Sequence, residues 1–307
     1  MLTQKELLKI CQKEKISFEK IIRKSNRFIL AKGRKGKDNV VLKILVNPQR
    51  KHAKKALIKE AKILELLNNL KEVKIRVPEF FGKNLKGKYP YFKEEFISGK
   101  ILERKSGFFF KKLKRELIIE IARNLNNLIK TPRFCFREIK NLSNFSSFYF
   151  KEGLRLHKKI IDKTLTPVQK NKLKKLIKNQ PKILVPVHGE VYPNNLIEDR
   201  QGKIYLLDWE NFGFGNLAHD SASVYLRLKD KVSKEFFLKQ IDFKNKRDFN
   251  NFFRIEIVLQ SIGSLQYLKS QKAYFRAKRG NKVLAKRGSY FRAKRGSYFL
   301  GQIAKGL

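Results

Sequence analysis

Residues 186–222 read PVHGEVYPNNLIEDRQGKIYLLDWENFGFGNLAHDSA, and this stretch decides the fold of the chain. An apolar run over 183–187 leads into it and predicts a buried strand, which is followed by a polar loop. Two more strand-like segments with a turn between them predict a hairpin. The two segments are 195–197 and 203–207, and the turn is 199–202. The polar residues before and after the hairpin therefore meet at one of its ends.

Three of these polar residues carry oxygen ligands: Glu190 in the loop, Asn195 at the start of the hairpin and Asp208 at its end. The pattern points a carboxylate, an amide and a second carboxylate into one cleft. Mg²⁺ prefers such hard oxygen ligands and is commonly bound together with phosphate groups. Residues 188–220 hold six acids and two cations, although the whole chain has a net charge of +45. An acidic block in a basic chain is typical of a metal site.

The polar residues of 188–222 form an ordered motif with defined spacings. H-G-E-x4-N at 188–195 is followed, after twelve residues, by D-W-E at 208–210 and then by G-x4-D-x-A at 215–222. The ordered set resembles the motif of the aminoglycoside phosphotransferase and choline kinase family, whose members phosphorylate small hydroxyl compounds. The family pattern has aspartate at the position that Glu190 occupies in this chain.

The resemblance implies an α+β, bilobal, protein-kinase-like fold. Residues 1–97 would form a small N-lobe, with an antiparallel sheet and one main helix that bind the nucleotide. Residues 98–270 would form a larger, mainly helical C-lobe with the catalytic loop, the metal site and the substrate helices. The last part of the chain, 271–307, would be a basic and disordered tail.

Local patterns predict the elements of such a fold. The expected strands are 16–22, 27–31, 40–45, 77–82 and 89–97, with a hairpin turn at 33–38. The expected helices are 2–14, 50–70 and 108–130, with mostly helical stretches over 131–180 and 221–270. Aromatic residues around 134–150 suggest core or a substrate pocket, and core is the more common role.

Lys43 interrupts the apolar run VVLKIL, where a lysine is poorly placed unless it has an acidic partner or points to an edge. Glu60 follows seventeen residues later, beside the apolar stripe of the predicted helix. In kinases, a strand lysine pairs with a glutamate of the next helix and then binds the α- and β-phosphates of ATP. The alternative for Glu60 is an ordinary solvated helix face.

Two further segments would contact the nucleotide if the resemblance holds. The loop after the first strand contains Ser25 and Asn26, whose backbone and side chains would meet phosphate oxygens, or which form an ordinary surface turn. The strand over 89–97 would lead into the hinge between the lobes. There, backbone groups from Glu95 to Ile97 would hydrogen-bond the adenine.

The family resemblance also assigns roles in the motif block. Asn195 and Asp208 would hold Mg²⁺, and Glu190 would accept or steer the proton of the attacking hydroxyl. His188 would support the catalytic loop through hydrogen bonds. Two supporting residues complete the set, Glu210 beside the metal or the acceptor and Asp220 tied to the loop backbone.

The function is open among three classes, and Glu190 bears on the choice between two of them, a phosphotransferase and a regulator. Glutamate and aspartate have similar ordinary pKa values, about 4.3 and about 3.9, but the glutamate carboxylate reaches one methylene farther. A misplacement of about 1 Å can cost on the order of 10²-fold in rate. Because every other functional position of the family motif is retained, the chain is predicted to be an ATP-dependent phosphotransferase. The alternatives are a catalytically weak nucleotide-binding regulator and a basic protein associated with nucleic acid.

The charge bears on the partners. The chain has 307 residues, with 72 Lys and Arg against 27 Asp and Glu. The cations are spread along the whole chain, which favours a compositional bias over a single binding surface. Such a charge attracts anions and repels polycations, and so predicts a neutral or anionic hydroxyl substrate.

The tail is basic and repetitive. The sequence AKRG recurs at 277, 285 and 293, and residues 271–307 hold eleven cations and no acids. Such a composition predicts disorder. Cations interleaved with Tyr and Phe can bind single-stranded nucleic acid, although an expanded repeat without a selected role is the simpler interpretation.

The two cysteines, Cys11 and Cys135, are far apart and predict neither a metal site nor a disulfide framework. Packing as small apolar side chains is the simplest role for them. No apolar run is long enough to span a membrane, and the charged N-terminus does not resemble a signal peptide. These features predict a cytoplasmic protein.

Overall fold

A computed structural model of the chain describes residues 2–70, 74–103, 108–139, 142–144, 158–178, 184–242, 246–277 and 298–303. The chain divides into two compact units, and each unit contains two segments. The first unit is Met1–Ser143 with His188–Gly213, and the second is Asn144–Val187 with Phe214–Leu307. These units cut the chain at other places than the predicted lobe boundary after residue 97, and that boundary stays a prediction.

The first unit is built around a five-stranded antiparallel sheet. Its strands follow the spatial order β1-β2-β3-β5-β4. They are β1 (Ser17–Lys24), β2 (Phe28–Lys35), β3 (Asp38–Leu45), β4 (Phe80–Asn84) and β5 (Tyr91–Glu95). Two helices complete this part, α1 (Gln4–Lys13) and α2 (Lys51–Asn69). The antiparallel sheet and its main helix confirm the predicted α+β class.

The hairpin between β2 and β3 is tighter than predicted. Residues 33–38 were expected to form the turn, but the strands stay paired as far as Lys35 and Asp38. Only Gly36 and Lys37 connect them, with Gly36 at a φ of +60°, a left-handed backbone that glycine adopts without strain. The strand ends could not be predicted from the charged sequence, because these ends are exposed and need no apolar side chains.

Helix α1 begins with a capping box and covers one face of the sheet. Thr3 accepts a hydrogen bond from the backbone N–H of Glu6, while the Glu6 carboxylate accepts from the N–H of Thr3. Leu7 and Cys11 are buried in a cluster with apolar residues of β2 and β3. The predicted apolar role of Cys11 is thereby confirmed, and burial raises the pKa of its thiol.

A second, three-stranded sheet follows the predicted hairpin of the motif block. Its order is β10-β9-β6, with β6 (Gly99–Ile101), β9 (Leu196–Asp199) and β10 (Ile204–Leu206). The Asp199 carboxylate fixes the turn between β9 and β10, because it accepts the backbone N–H groups of Gln201 and Lys203. Strand β6 approaches β9 so closely that a Cβ on Gly99 would lie 2.1 Å from the carbonyl oxygen of Glu198.

Helix α3 (Arg115–Lys130) begins seven residues later than the predicted start at 108. Phe110 instead forms a bridge with Glu103, and the N–H of Lys111 donates to the carbonyl of Leu102. Phe110 is buried in this position. An apolar run that fits a helix face is therefore used as an extended segment, since its backbone groups bond to the preceding residues.

The second unit is mainly helical, as predicted for 221–270. Three short strands lie where the chain passes between units, β7 (Ser143–Asn144), β8 (Val185–Val187) and β11 (Gly213–Gly215). The helices are α4 (Lys158–Thr164), α5 (Pro167–Lys178), α6 (His219–Arg227), α7 (Lys231–Gln240) and α8 (Lys246–Ala277). Within the described part of the chain, no helix has the length and hydropathy needed to cross a membrane. Of the predicted aromatic cluster around 134–150, residues 145–150 lie outside the described residues.

A buried polar network joins α6 to α8. Nδ1 of His219 lies 3.0 Å from Oε2 of Glu256, and both side chains are fully buried. Gln260 donates to the same carboxylate and to the carbonyl of His219. His219 stands inside the motif block without a predicted role, and the structure gives it this structural one.

The tail departs from the predicted disorder at two stretches. Residues 271–277 continue α8, and residues 298–303 are helical. The Tyr298 hydroxyl donates to the carbonyl of Leu226 (2.8 Å) and accepts from Nζ of Lys234 (2.7 Å). Phe299 is completely buried. Residues 298–303 therefore pack within the second unit, while the predictions for 278–297 and 304–307 fall outside the described residues.

Phe299→Ala should lower the free energy of unfolding by about 3–5 kcal/mol, because it empties a fully buried aromatic site. The neighbouring change Leu300→Ala is the matched control, since Leu300 is 47% exposed and its loss should cost less than about 0.5 kcal/mol. Denaturant unfolding of the two variants measures both values. Equal and small effects would show that the terminal segment is not packed in solution.

Candidate active site

Lys43 lies at the centre of the main sheet and joins two acids. On β3 it stands opposite Leu30 of β2 and Phe92 of β5, so its side chain starts from a fully paired strand. Its Nζ donates to Oε2 of Glu60 on α2 (2.6 Å) and to Oδ1 of Asp208 (2.8 Å). The predicted pair of Lys43 and Glu60 is thus formed, and it extends to Asp208 of the motif block.

Burial and charge act against each other in this triad. Burial alone would lower the pKa of Lys43, but Glu60 and Asp208 raise it, so the ammonium keeps its proton. Burial raises the pKa of Glu60, and Lys43 opposes that shift. For Asp208, burial is outweighed by Lys43, which holds the pKa of this carboxyl below its ordinary value. Asp208 is also the most exposed member, at 28% against 8% for Lys43 and 2% for Glu60.

The backbone at Asp208 has an unusual conformation. Its φ of 64° and ψ of 66° are left-handed, which aspartate and asparagine tolerate better than most residues. A 3₁₀ turn follows at Trp209–Asn211 and packs against α2. The Trp209 side chain is fully buried, and its indole N–H donates to the carbonyl of Leu206 (3.1 Å). This local structure turns the chain sharply at the end of the hairpin and directs the Asp208 side chain to Lys43.

The loop with the predicted catalytic residues is tied to the hairpin by His188 and Asn195. Nδ1 of His188 accepts the backbone N–H of Glu190 (3.3 Å), so Nε2 carries the proton and donates to the carbonyl of Leu207 (3.0 Å). The side-chain amide of Asn195 donates to the carbonyl of Glu190 (3.0 Å). Both the N–H and the carbonyl of Glu190 are thereby held. His188 also links this loop to Leu207, the residue before Asp208.

Glu210 is bound by Arg27, an arginine to which no sequence pattern assigns a role. Its Oε1 accepts a hydrogen bond from a terminal guanidinium nitrogen of Arg27 (2.8 Å), although 183 residues separate the two in sequence. Glu210 is 8% exposed, and its Oε2 has no hydrogen-bond partner among the residues that the structure describes. Arg27 adjoins the predicted Ser25 and Asn26, but no sequence signal distinguishes it from Arg23 and Lys24 of the same loop.

The hydroxyl of Ser25 makes its hydrogen bonds within the turn that contains it. It accepts the backbone N–H groups of Arg27 (3.2 Å) and Phe28 (2.9 Å) and donates to the carbonyl of Phe28 (3.1 Å). Asn26 is exposed in the same loop. The structure therefore gives Ser25 a turn-forming role, and phosphate contacts from Ser25 and Asn26 stay a prediction.

The predicted hinge leaves one amide for a ligand. The N–H of Glu95 donates to the carbonyl of Glu79 (2.8 Å), and the N–H of Phe96 donates to the carbonyl of Asn39 (2.9 Å). The N–H of Ile97 has no partner in the described part of the chain. Of these three N–H groups, the one of Ile97 is therefore available to a nucleobase, and a contact from the carbonyl of Glu95 stays a prediction.

Glu94 is an acid near the site that no local sequence pattern predicts. Phe92 stands opposite Lys43, and residues two apart on a strand share a face, so Glu94 lies on the Lys43 side of the sheet. Burial raises the pKa of Glu94 to about 7, with Lys43 lowering it and Asp208 raising it. The alternation along β5 would have placed Glu94 in the site, had the strand register been known.

The raised pKa of Glu94 predicts a pH dependence of stability. Between its ordinary value near 4.5 and about 7, folded Glu94 keeps a proton that the unfolded chain has lost. The contribution of Glu94 to the free energy of unfolding should therefore fall as the pH rises through this interval, by at most about 1.4 kcal/mol per pH unit, and Glu60, whose pKa burial also raises, adds a fall of the same sign. Glu94→Gln should flatten the slope, as measured by urea unfolding at several pH values. An identical slope in the variant would contradict this assignment.

Asp220, the last predicted supporting residue, belongs to the second unit. It lies in the first turn of α6 and is buried. Its predicted tie to the catalytic loop stays a prediction.

Comparison with known proteins identifies the relatives of this chain. Residues 22–249 match the family described as the phosphotransferase enzyme family. A search among the sequences of characterised proteins found no significant match.

Solved structures resemble the chain over nearly its whole length. Macrolide 2'-phosphotransferase MphH from Brachybacterium faecium is 12% identical, with a TM-score of 0.66 over 95% of this chain and 97% of that one. Choline kinase LicA from Streptococcus pneumoniae is 16% identical, with a TM-score of 0.61 over 98% and 99%. The GDP complex of aminoglycoside 2'-phosphotransferase-IIIa is 13% identical, with a TM-score of 0.65 over 96% and 99%. These likenesses confirm the predicted kinase-like fold.

Proposed function

The chain belongs to the phosphotransferase enzyme family, and from that membership we propose that it transfers the terminal phosphoryl group of ATP to a hydroxyl group of a small molecule. The observation that carries the proposal is the contact of Lys43 with both Glu60 and Asp208. In kinases this lysine binds the nucleotide phosphates while the glutamate orients it. An ammonium held by two acids at the centre of a sheet has no evident structural purpose that an apolar residue would not serve as well.

The donor set fits a magnesium ion. One oxygen of Asp208 bonds to Lys43, which leaves the other for a metal, and Asn195 uses its amide nitrogen on Glu190 and keeps its amide oxygen. Among the residues that the structure describes, no three His, Cys, Asp or Glu side chains form a metal site. Mg²⁺ commonly takes only one or two protein oxygens and completes its shell with water and phosphate oxygens. When bound, it would supply positive charge to the phosphate chain.

The residues of the chain then divide the work. Lys43 donates hydrogen bonds to phosphate oxygens, and Glu60 keeps it in place. The oxygen of the acceptor hydroxyl bonds to the γ-phosphorus of ATP, and the bond between that phosphorus and the leaving ADP breaks. Glu190 accepts the proton that the hydroxyl loses in this step. His188 and Asn195 hold the backbone of Glu190, and the N–H of Ile97 donates a hydrogen bond to the nucleobase.

Substitution of Glu190 distinguishes a phosphotransferase from a nucleotide-binding regulator without turnover. If Glu190 is the working base, Glu190→Gln should lower turnover on the order of 10²-fold, with little change in the affinity for ATP. Glu190→Asp should preserve or raise turnover, because it restores the family residue. Steady-state kinetics together with ATP-binding titrations separate the two effects.

A regulator would behave in the opposite way. It would bind ATP without consuming it in the presence of any acceptor, and Glu190→Asp would create activity. The longer glutamate side chain favours this second candidate, since the carboxylate reaches one methylene farther than the family aspartate. An ATP-consumption screen over sugars, amino alcohols and aminoglycosides tests both, and no nucleotide binding at all would refute both.

We further propose that the acceptor is neutral or anionic. The net charge of +45 repels a polycation over long range, and the acids that could offset it lie in the motif block, where Mg²⁺ would neutralise them. Screening limits this effect to about 8 Å at physiological salt, so the preference should be largest at low salt. Turnover of a neutral sugar and of an aminoglycoside at low and high salt measures it. Efficient use of the aminoglycoside at low salt would overturn this choice of substrate.

A further inference from the structure

The turn between β1 and β2 presents Arg27 in a fixed position. The Ser25 hydroxyl accepts the N–H groups of Arg27 and Phe28, and the Ser25 N–H donates to the carbonyl of Phe28 (2.9 Å). The Arg27 guanidinium carbon lies 5.1 Å from the centroid of the Phe28 ring. Backbone and side chain are therefore both held, and the guanidinium points toward the motif block.

Each partner in the pair of Arg27 and Glu210 is only partly satisfied. The buried Glu210 carboxylate uses Oε1 on Arg27 and leaves Oε2 without a partner in the described part of the chain. Arg27 bonds through one terminal nitrogen and is 45% exposed, so part of its planar donor fork faces solvent. A good bidentate pair of arginine and carboxylate would use both oxygens. The observed pair leaves donors available to a second anion.

Three acids of the site act on this guanidinium. The hydrogen bond to Glu210 and the charges of Glu210, Asp208 and Glu190 raise the pKa of Arg27, against an opposing effect of burial. The guanidinium thus lies within electrostatic reach of the proposed metal ligand and the proposed base. This is the region into which the terminal phosphate must come if phosphoryl transfer is to occur.

We infer that Arg27 is a phosphate-binding residue that changes partner, pairing with Glu210 in the nucleotide-free protein and with the terminal phosphate in the nucleotide complex. The inference rests on the proposed function, since it assumes that a nucleoside triphosphate enters this site. Phosphate oxygens match the planar fork of arginine and carry more charge than one carboxylate. After transfer the terminal phosphate is gone, and the return of Arg27 to Glu210 would favour release of the diphosphate.

The competing role for Arg27 is a structural tether that joins the turn to Glu210. A tether and a phosphate ligand make different predictions for nucleotides of different length. Loss of a tether disturbs the whole site and weakens triphosphate, diphosphate and nucleoside alike. Loss of a ligand to the terminal phosphate weakens only the triphosphate.

Calorimetric titration of the full chain with Mg-ATP, Mg-ADP and adenosine tests the inference. The wild type should prefer Mg-ATP to Mg-ADP, and Arg27→Gln should weaken Mg-ATP binding by on the order of 10- to 100-fold, since hydrogen bonds to charged groups are lost. Binding of Mg-ADP and adenosine should change little. Arg27→Lys should recover part of the preference, because it keeps a charge without the fork.

Two further variants complete the design. Arg34→Gln removes an arginine from the same hairpin, where Arg34 is 65% exposed and paired with Glu19, and should leave all three affinities unchanged. Glu210→Gln removes the carboxylate charge that holds Arg27 but keeps the guanidinium, so it should retain the preference for triphosphate. If Arg27 were only a tether, Glu210→Gln and Arg27→Gln would have the same effects.

The outcomes distinguish a failure of the proposed function from a failure of the assignment of Arg27. A wild type that binds no nucleotide refutes the proposed function and this inference with it. A wild type that prefers Mg-ATP, together with an Arg27→Gln variant that keeps the same preference or loses all three ligands equally, overturns the inference and leaves the proposed function intact.

Discussion

Replacing Asp208 with asparagine should reduce phosphoryl transfer by on the order of 10³-fold or more and leave the fold intact. The carboxylate is ionised beside Lys43, and it is the member of the buried triad that faces the solvent. Asparagine keeps the shape and the hydrogen bond from Lys43 but removes the negative charge that a dication requires. Mg²⁺-dependent binding of ATP should weaken along with turnover.

The backbone supplies the control for this experiment. Asp208 has a left-handed conformation, which asparagine tolerates and alanine does not. Asp208→Ala should therefore cost an additional about 1–2 kcal/mol of stability, whereas Asp208→Asn should unfold close to the wild type. Turnover with Mg-ATP and thermal unfolding are measured on both variants. An asparagine variant that reacts like the wild type would remove Asp208 from the site.

Lys43→Met has the second-largest expected effect and acts on both activity and stability. Turnover should fall on the order of 10²-fold, because the ammonium that meets the phosphates is lost. The variant should also lose about 3–5 kcal/mol of stability, because Glu60 is left buried without its cation. The double change Lys43→Met with Glu60→Gln should restore most of the stability and none of the turnover.

Lys93 provides the matched control for Lys43. It is a second buried lysine of the same sheet, one residue along β5 from Phe92, and it pairs with Glu14 instead of the site. Lys93→Met should cost stability and leave the affinity for ATP unchanged. Equal losses of ATP affinity in the two variants would mean that the effect of Lys43 is one of folding.

The contacts that were predictable share one property, which is that a polar residue stood where the local pattern demanded an apolar one. Lys43 inside an apolar strand and Glu60 beside the apolar stripe of the next helix both needed a partner, and each is the other's partner. The spacing of the motif block fixed the hairpin that brings Asp208 to them. Local periodicity was sufficient in these cases because each element buries one face.

The contacts that were not predictable depend on register and on distant pairing. Arg27 and Glu210 meet across 183 residues, and no local pattern distinguishes Arg27 from the other cations of the chain. Glu94 reaches the site only because β5 pairs with β3 in one particular register. The late start of α3 and the packing of Phe299 were missed for a related reason, since tertiary contacts there override the local propensity.

The left-handed backbone at Asp208 also limits which mutations this protein can accept during evolution. Single base changes convert an aspartate codon into codons for asparagine, glycine, alanine, valine, glutamate, histidine or tyrosine. Asparagine and glycine accept the backbone at this position with the least strain, so those two changes should remove the proposed catalysis while sparing the fold. The other changes strain the turn as well and expose the chain to degradation. Folded descendants without activity should therefore arise mainly through asparagine or glycine at this codon.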